Sequence, residues 1–164
     1  MIQRWRPPDL NIYKINFDAA VFRASNLVGV GVIVRDNKGD PIGALTMPVP
    51  FRQFVAKLEA LACQRAGQFA WEIGLTQVVV EGDSVTVIEA LKNGMGQFAS
   101  YGNIIDDIRF QSTCFQYVEF SYTSRACNSV VDALAKKASS GVGLHVWLED
   151  LPEDIVPLVV RDVH

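Results

Sequence analysis

Apolar residues recur along this chain in two rhythms, and the change between them marks out the fold. Up to residue 50 the rhythm is that of strands. "YKINFDAAVF" (13–22) is rich in β-formers, with Ile15 and Phe17 two positions apart. "LVGVGVIVRD" (27–36) alternates glycines at 29 and 31 with valines, so small residues occupy one face. "DNKG" (36–39) carries the Asn/Gly chemistry of a hairpin turn, and "DPIGALTMPV" follows as a third strand. These three predict an antiparallel meander. After Pro50 the rhythm becomes helical. "FVAKLEALACQRAGQFAWEIG" (54–74) lacks proline, is apolar on nearly every side, and predicts a deeply packed helix stopped by Gly74.

"QVVVEG" (77–82) is a run of consecutive valines, as expected of a strand buried on both faces beside parallel neighbours. Ser84 caps a predicted helix that runs to Asn93 and closes at Gly94. "GNIIDDIRFQSTCF" (102–115) predicts another amphipathic helix. "YVEFSYTS" (117–124) predicts a fifth strand, and "SVVDALAKKAS" (129–139) a last helix with Asn128 or Ser129 at its cap. The tail holds one short apolar turn that packs back on the body. The order β-β-β-α-β-α-α-β-α predicts an α/β fold with a five-stranded mixed sheet, three antiparallel strands plus two parallel, and helices on both faces. The expected layout is an N-terminal arm (1–12), a domain over 13–140, and a tail (141–164) packing on or extending it. "WRPP" in the arm reads as an entry linker, consistent with a piece of a longer polypeptide.

Composition narrows the function classes. With 49% hydrophobic and 20% charged residues the chain can build a packed core. A net charge of −3 argues against binding nucleic acid through overall basic charge, and leaves room for a local basic patch or a bound metal. Cys63, Cys114 and Cys127 stand singly, outside any metal-ligating spacing, and read as small buried hydrophobes in a reducing compartment. "MIQRWRPPDLN" has no apolar core of a signal peptide, and no apolar run approaches the roughly 18 residues of a membrane span. The expectation is a soluble, intracellular protein with no membrane partner.

Four acids stand where apolar residues would cost less. Asp18 interrupts the first strand, Glu59 lies mid-helix, Asp83 ends the valine strand, and Asp132 sits in the first turn of the last helix. Each has an ordinary alternative. Asp83 can cap beside Ser84, Asp132 can satisfy a helix dipole, and Glu59 can face solvent. Asp18 is hardest to dismiss, because an unpaired charge inside a strand is expensive. Sites in open α/β sheets form outside the carboxyl ends of parallel strands, where Asp83 sits and Asp18 arrives if strand one is its parallel neighbour. Four converging carboxylates would repel one another unless cations intervene. Mg²⁺ takes oxygen ligands, and a pair of such ions can serve an in-line phosphoryl displacement. Glu81, across Gly82 from Asp83, reads as a bystander.

The pieces "KINFDAA", "GVGVIVRDNKGDPIGA", "KLEALACQRAGQFAWEIGLTQVVVEGDS" and "SRACNSVVDALAKKA", in this order and spacing, resemble the type 1 ribonuclease H family. The resemblance runs from Trp5 to Ala138 and is nearest to the reverse-transcriptase-like, retroelement-related ribonuclease H domains of plants. It implies that Asp18, Glu59, Asp83 and Asp132 bind two Mg²⁺ or Mn²⁺ ions and are the catalytic set. It implies hydrolysis of the RNA strand of an RNA/DNA hybrid, leaving a 5′ phosphate and a 3′ hydroxyl. Ala19, Ser84, Arg125 and Asn128 are the implied substrate contacts, with Lys136 and Lys137 as a supporting basic edge. Two positions depart from the family pattern. Ala19 replaces a common glycine, and Tyr122 stands ten residues before Asp132, where active members usually carry histidine. A phenol with a pKa near 10 does not shuttle protons at neutral pH as imidazole does. The alternative implied is a catalytically weak or inactive, domesticated domain that binds nucleic acid or a protein partner.

Overall fold

The structure, a computed structural model, describes residues 4–51, 55–94, 101–138, 143–148 and 150–163. Its centre is a mixed sheet. β1 (Tyr13–Phe22), β2 (Leu27–Arg35) and β3 (Pro41–Pro50) form the antiparallel meander. β4 (Gln77–Gly82) and β5 (Tyr117–Tyr122) add on the other side of β1 in parallel. The β2–β3 turn forms as its sequence dictates: Asp36 Oδ1 accepts from the Lys38 and Asp40 amides, and Gly39 takes a positive φ of 86°.

The sheet has six strands rather than the expected five. β6 (His145–Trp147) pairs with β3, giving the order β5-β4-β1-β2-β3-β6. Three residues at a sheet edge are held by backbone hydrogen bonds and leave almost no periodic trace in sequence. The tail then folds as α5 (Val156–Val163), a two-turn helix where a single apolar turn was expected.

Helices cover both faces. α1 (Val55–Glu72), α2 (Val85–Asn93) and α3 (Gly102–Ser112) lie on one side, where Ala62, Ala66 and Phe69 pack with Ile15, Phe17, Val32 and Leu45. α4 (Ser129–Lys137) and α5 cover the other, around Ile33, Val131, Leu134 and Ile155. The expected helix boundaries at Phe54 and Ser139 fall outside the described residues. Ser84 does cap α2, its Oγ accepting from the Val87 N–H at 3.4 Å, and Gly94 closes that helix with a φ of 69°. Cys63 and Cys127 are buried, but Cys114 is exposed at the end of α3, where the apolar pattern stops. No helix among the described residues is long and apolar enough to cross a membrane.

The small face of β2 explains how α4 comes so close. A Cβ on Gly31 would lie 2.6 Å from both Ala135 N and Val131 O, and one on Gly29 would overlap the Ala135 carbonyl oxygen. Gly31 pairs with Asp18 across the sheet, so the helix that nestles on β2 also brings its own acid towards Asp18. Gly31→Ala, favourable by strand propensity, therefore forces α4 outward. We expect a loss of about 1–3 kcal/mol in urea unfolding, the usual range for overpacking. An unchanged unfolding midpoint would contradict this packing.

Candidate metal centre

The parallel pairing of β1 with β4 ends at Asn16 opposite Glu81. Two residues further along come Asp18, on the same side of β1 as Asn16 by strand period, and Asp83, one residue past the end of β4. Beyond this pairing the two chains diverge and a cleft of about 300 Å³ opens. Its walls include Asp18, Ala19, Glu59, Asp83, Arg125 and Asp132. Glu59 enters from the N-terminal half of α1, whose apolar surface is spent on the sheet. Asp132 enters from the first turn of α4.

One carboxylate oxygen from each of Asp18, Glu59 and Asp83 lies within 4.8 Å of the other two. Asp18 is 6% exposed and Glu59 7%. Burial, and then the charge of Asp83, push the Asp18 carboxyl up to about 7, with the adjacent Asp132 adding to the rise. Burial, and then Asp18 and Asp83, push Glu59 up to about 9. Burial also raises Asp83, while the Arg125 guanidinium opposes the rise. Glu59 Oε2 is buried and without a hydrogen-bond partner. A buried acceptor aimed among like charges is what a bound cation would satisfy. The donor set is all carboxylate oxygen, which suits Mg²⁺ or Mn²⁺ over softer metals. The residues therefore fit such an ion.

The other sequence candidates separate by position. Ala19 and Arg125 line the cleft, as does Lys136, which also pairs with Asp132 at 2.9 Å. Lys137 instead meets Asp154 at 3.1 Å. Ser84 caps α2 and does not line the cleft. Tyr122 ends β5 opposite Gly82, 50% exposed and off the cleft wall. Asn128 is 2% exposed and lies beneath the cleft, with both polar atoms already engaged.

Those engagements reveal a layer that the sequence reading missed. Asn16 Nδ2 donates to Glu81 Oε1 and to Asn128 Oδ1, each at 3.0 Å. Asn128 Nδ2 donates to the Phe17 carbonyl at 3.1 Å. Trp5 Nε1 donates to Asn16 Oδ1 at 2.9 Å. Lys14 Nζ lies 3.3 Å from Glu81 Oε2, which also accepts from Ser121 at 3.2 Å. Glu81 thus stays out of the acid cluster, yet it is buried with both carboxylate oxygens engaged. Its signal was available: a polar residue in a valine strand and Asn16 between Ile15 and Phe17 are both unexpected in a buried sheet. Trp5 is fixed in turn by the Arg35 guanidinium, 3.8 Å from its ring.

A model of the Reverse transcriptase-like family matches residues 16–138, and the chain belongs to that family. No curated protein sequence matches it. Among solved structures, ribonuclease H1 from the halophilic archaeon Halobacterium salinarum is similar with a TM-score of 0.65 at 22% identity, over 79% of this chain and 98% of that one. LC11 ribonuclease H1 in complex with an RNA/DNA hybrid gives 0.69 at 18% identity, over 77% and 95%. The foamy viral protease-reverse transcriptase in complex with dsDNA gives 0.62 at 13%, over 80% and 94%. The fold is ribonuclease H-like.

The raised carboxyls make stability depend on pH with a definite sign. The folded chain holds protons at Asp18 and Glu59 that the unfolded chain releases near pH 4. Their contribution is complete below that pH and is lost as pH rises through about 7 and then about 9. In a chelator, thermal stability should therefore fall steadily between pH 5 and 9. Glu59→Gln should flatten that fall and raise the melting temperature at pH 8. A melting temperature that the substitution lowers at pH 8 would refute the electrostatic account.

Proposed function

We propose that this reverse transcriptase-like domain is a divalent-metal-dependent endoribonuclease that hydrolyses the RNA strand of RNA/DNA hybrids. The observation that carries the proposal is the convergence of Asp18, Glu59 and Asp83 within 4.8 Å, with one Glu59 oxygen buried and unpartnered. Such a group is unfavourable for the fold alone and becomes favourable with cations. In this reading Asp18 and Asp83 share the central ligand position, Glu59 completes one cation site, and Asp132 on α4 serves a second. Two Mg²⁺ or Mn²⁺ ions bound there would supply an activated water and neutralise the charge that develops on a cleaved phosphodiester.

The chain's own residues do the rest. Burial of Asp18 and Glu59 keeps water from screening the site, so their charges act at low dielectric. Arg125 is exposed on the cleft wall, near enough for its charge to act on Asp83, and can hold a backbone phosphate, and the small Ala19 also lines the cleft. Two of the structurally similar proteins are in complex with nucleic acid, the LC11 ribonuclease H1 with an RNA/DNA hybrid and the foamy viral protease-reverse transcriptase with dsDNA. The net charge of −3 implies modest affinity for this chain.

Cleavage of a hybrid should appear with Mg²⁺ or Mn²⁺ and fall about 100- to 1,000-fold in Asp83→Asn, the usual loss when a group stabilising transition-state charge is removed. Absence of cleavage at high protein and Mn²⁺ would defeat the proposal. A second reading, a domain that binds without cutting, draws on Tyr122 at the end of β5. Tyr122→His should raise kcat roughly 10-fold or more if proton transfer at that position limits the rate. A tight hybrid complex that neither protein cleaves would favour the second reading instead.

A further inference from the structure

The three strand and helix acids of the cleft have counterparts one layer below. Asp18 is two residues beyond Asn16 on β1. Asp83 is two residues beyond Glu81, one past the end of β4. Asp132 is four residues beyond Asn128, one turn along α4. On β1 the two-residue step rises about 6.6 Å and returns to the same side, and Asp132 follows the α4 cap residue Asn128 by about one turn. The lower three side chains are directly joined. Asn16 donates at 3.0 Å to both Glu81 and Asn128. The upper three are acids, which repel one another and cannot set their own spacing.

From this we infer that Asn16 is the positioning residue of the acidic cleft, its amide fixing β1, β4 and the start of α4 at the separation the carboxylates inherit. The inference rests on the reading of those acids as metal ligands. No other described side chain donates hydrogen bonds to both Glu81 and Asn128. The Asn128 bond to the Phe17 carbonyl adds a second tie, at the residue next to Asp18 and just past the last β1–β4 pair. Trp5 completes the layer by donating to Asn16 Oδ1, so that both of that carbon's polar atoms are held. Trp5 lies outside the matched family span, and its ring is stacked on Arg35, which also binds the Gly39 and Val159 carbonyls and Asp162. The arm and the C-terminal helix therefore steady the amide that spaces the site.

The test is Mn²⁺ binding by calorimetry to the full chain and to Asn16→Ala, Trp5→Phe and a control. Trp5→Phe keeps an aromatic ring beside Arg35 and removes the indole donor. The control, Ile108→Ala, is a buried core residue on α3, a helix that carries none of the cleft acids, the amide partners or the residues that hold Trp5. Loss of a residue that orients metal ligands typically weakens metal binding about 10- to 100-fold. We expect that loss in Asn16→Ala, a smaller loss in Trp5→Phe, and less than about a twofold change in the control at a comparable drop in melting temperature. Equal affinity in Asn16→Ala and the parent chain would overturn the inference, as would an equal loss in the control. Failure of the parent chain to bind Mn²⁺ would instead strike the metal reading. The amide NMR spectrum of metal-free Asn16→Ala then decides the positioning claim alone. Shifts reaching Asp83 and Asp132 support it, and shifts confined to β1 overturn it.

Discussion

The parallel register of β1 against β4 is the constraint on which the rest of this molecule depends. It sets Asn16 opposite Glu81, and so brings Asp18 and Asp83 out of the sheet at the same level. Everything else at the cleft is an approach to that point. α1 carries Glu59 in from one face, and α4 carries Asp132 in from the other. Because β1 has a parallel neighbour on one side and an antiparallel one on the other, the chain reverses direction there and leaves the crevice in which ligands of open α/β sheets sit.

Holding those acids together works against the fold. Asp18 and Glu59 are buried, and neighbouring acids raise the proton affinity of both, Asp83 and Asp132 at Asp18, and Asp18 and Asp83 at Glu59. The opposing terms are spread through the surroundings. Gly29 and Gly31 let α4 settle on β2, and the apolar face of α1 commits that helix to the sheet. Beneath the acids, neutral amides and one lysine-paired glutamate supply directional bonds where the carboxylates supply only repulsion. A site assembled in this way stores unfavourable electrostatics that a cation would relieve, the usual relation between stability and function.

Much of this was legible in the sequence. The valine run of β4, the glycine alternation of β2 and the uninterrupted α1 pattern each follow from local rules, and the observed elements agree with them. The four acids stood out because each broke an apolar pattern. The sixth strand did not, since three edge residues form by pairing to β3 rather than by any period of their own. The Asn16–Glu81–Asn128 layer escaped for a related reason. Its members are 65 and 112 residues apart, and a polar residue in a strand says that a partner exists without saying which. Trp5 was read as part of an arm because nothing local shows that its indole reaches Asn16.

The central claim is that these carboxylates form a divalent-cation centre. Its most direct test is a crystal structure of the chain grown with Mn²⁺, with anomalous data collected at the manganese edge. The account predicts a strong peak among Asp18, Glu59 and Asp83 and a second towards Asp132. A well-ordered cleft with no anomalous peak at those acids, at millimolar Mn²⁺ and pH 8, would contradict it.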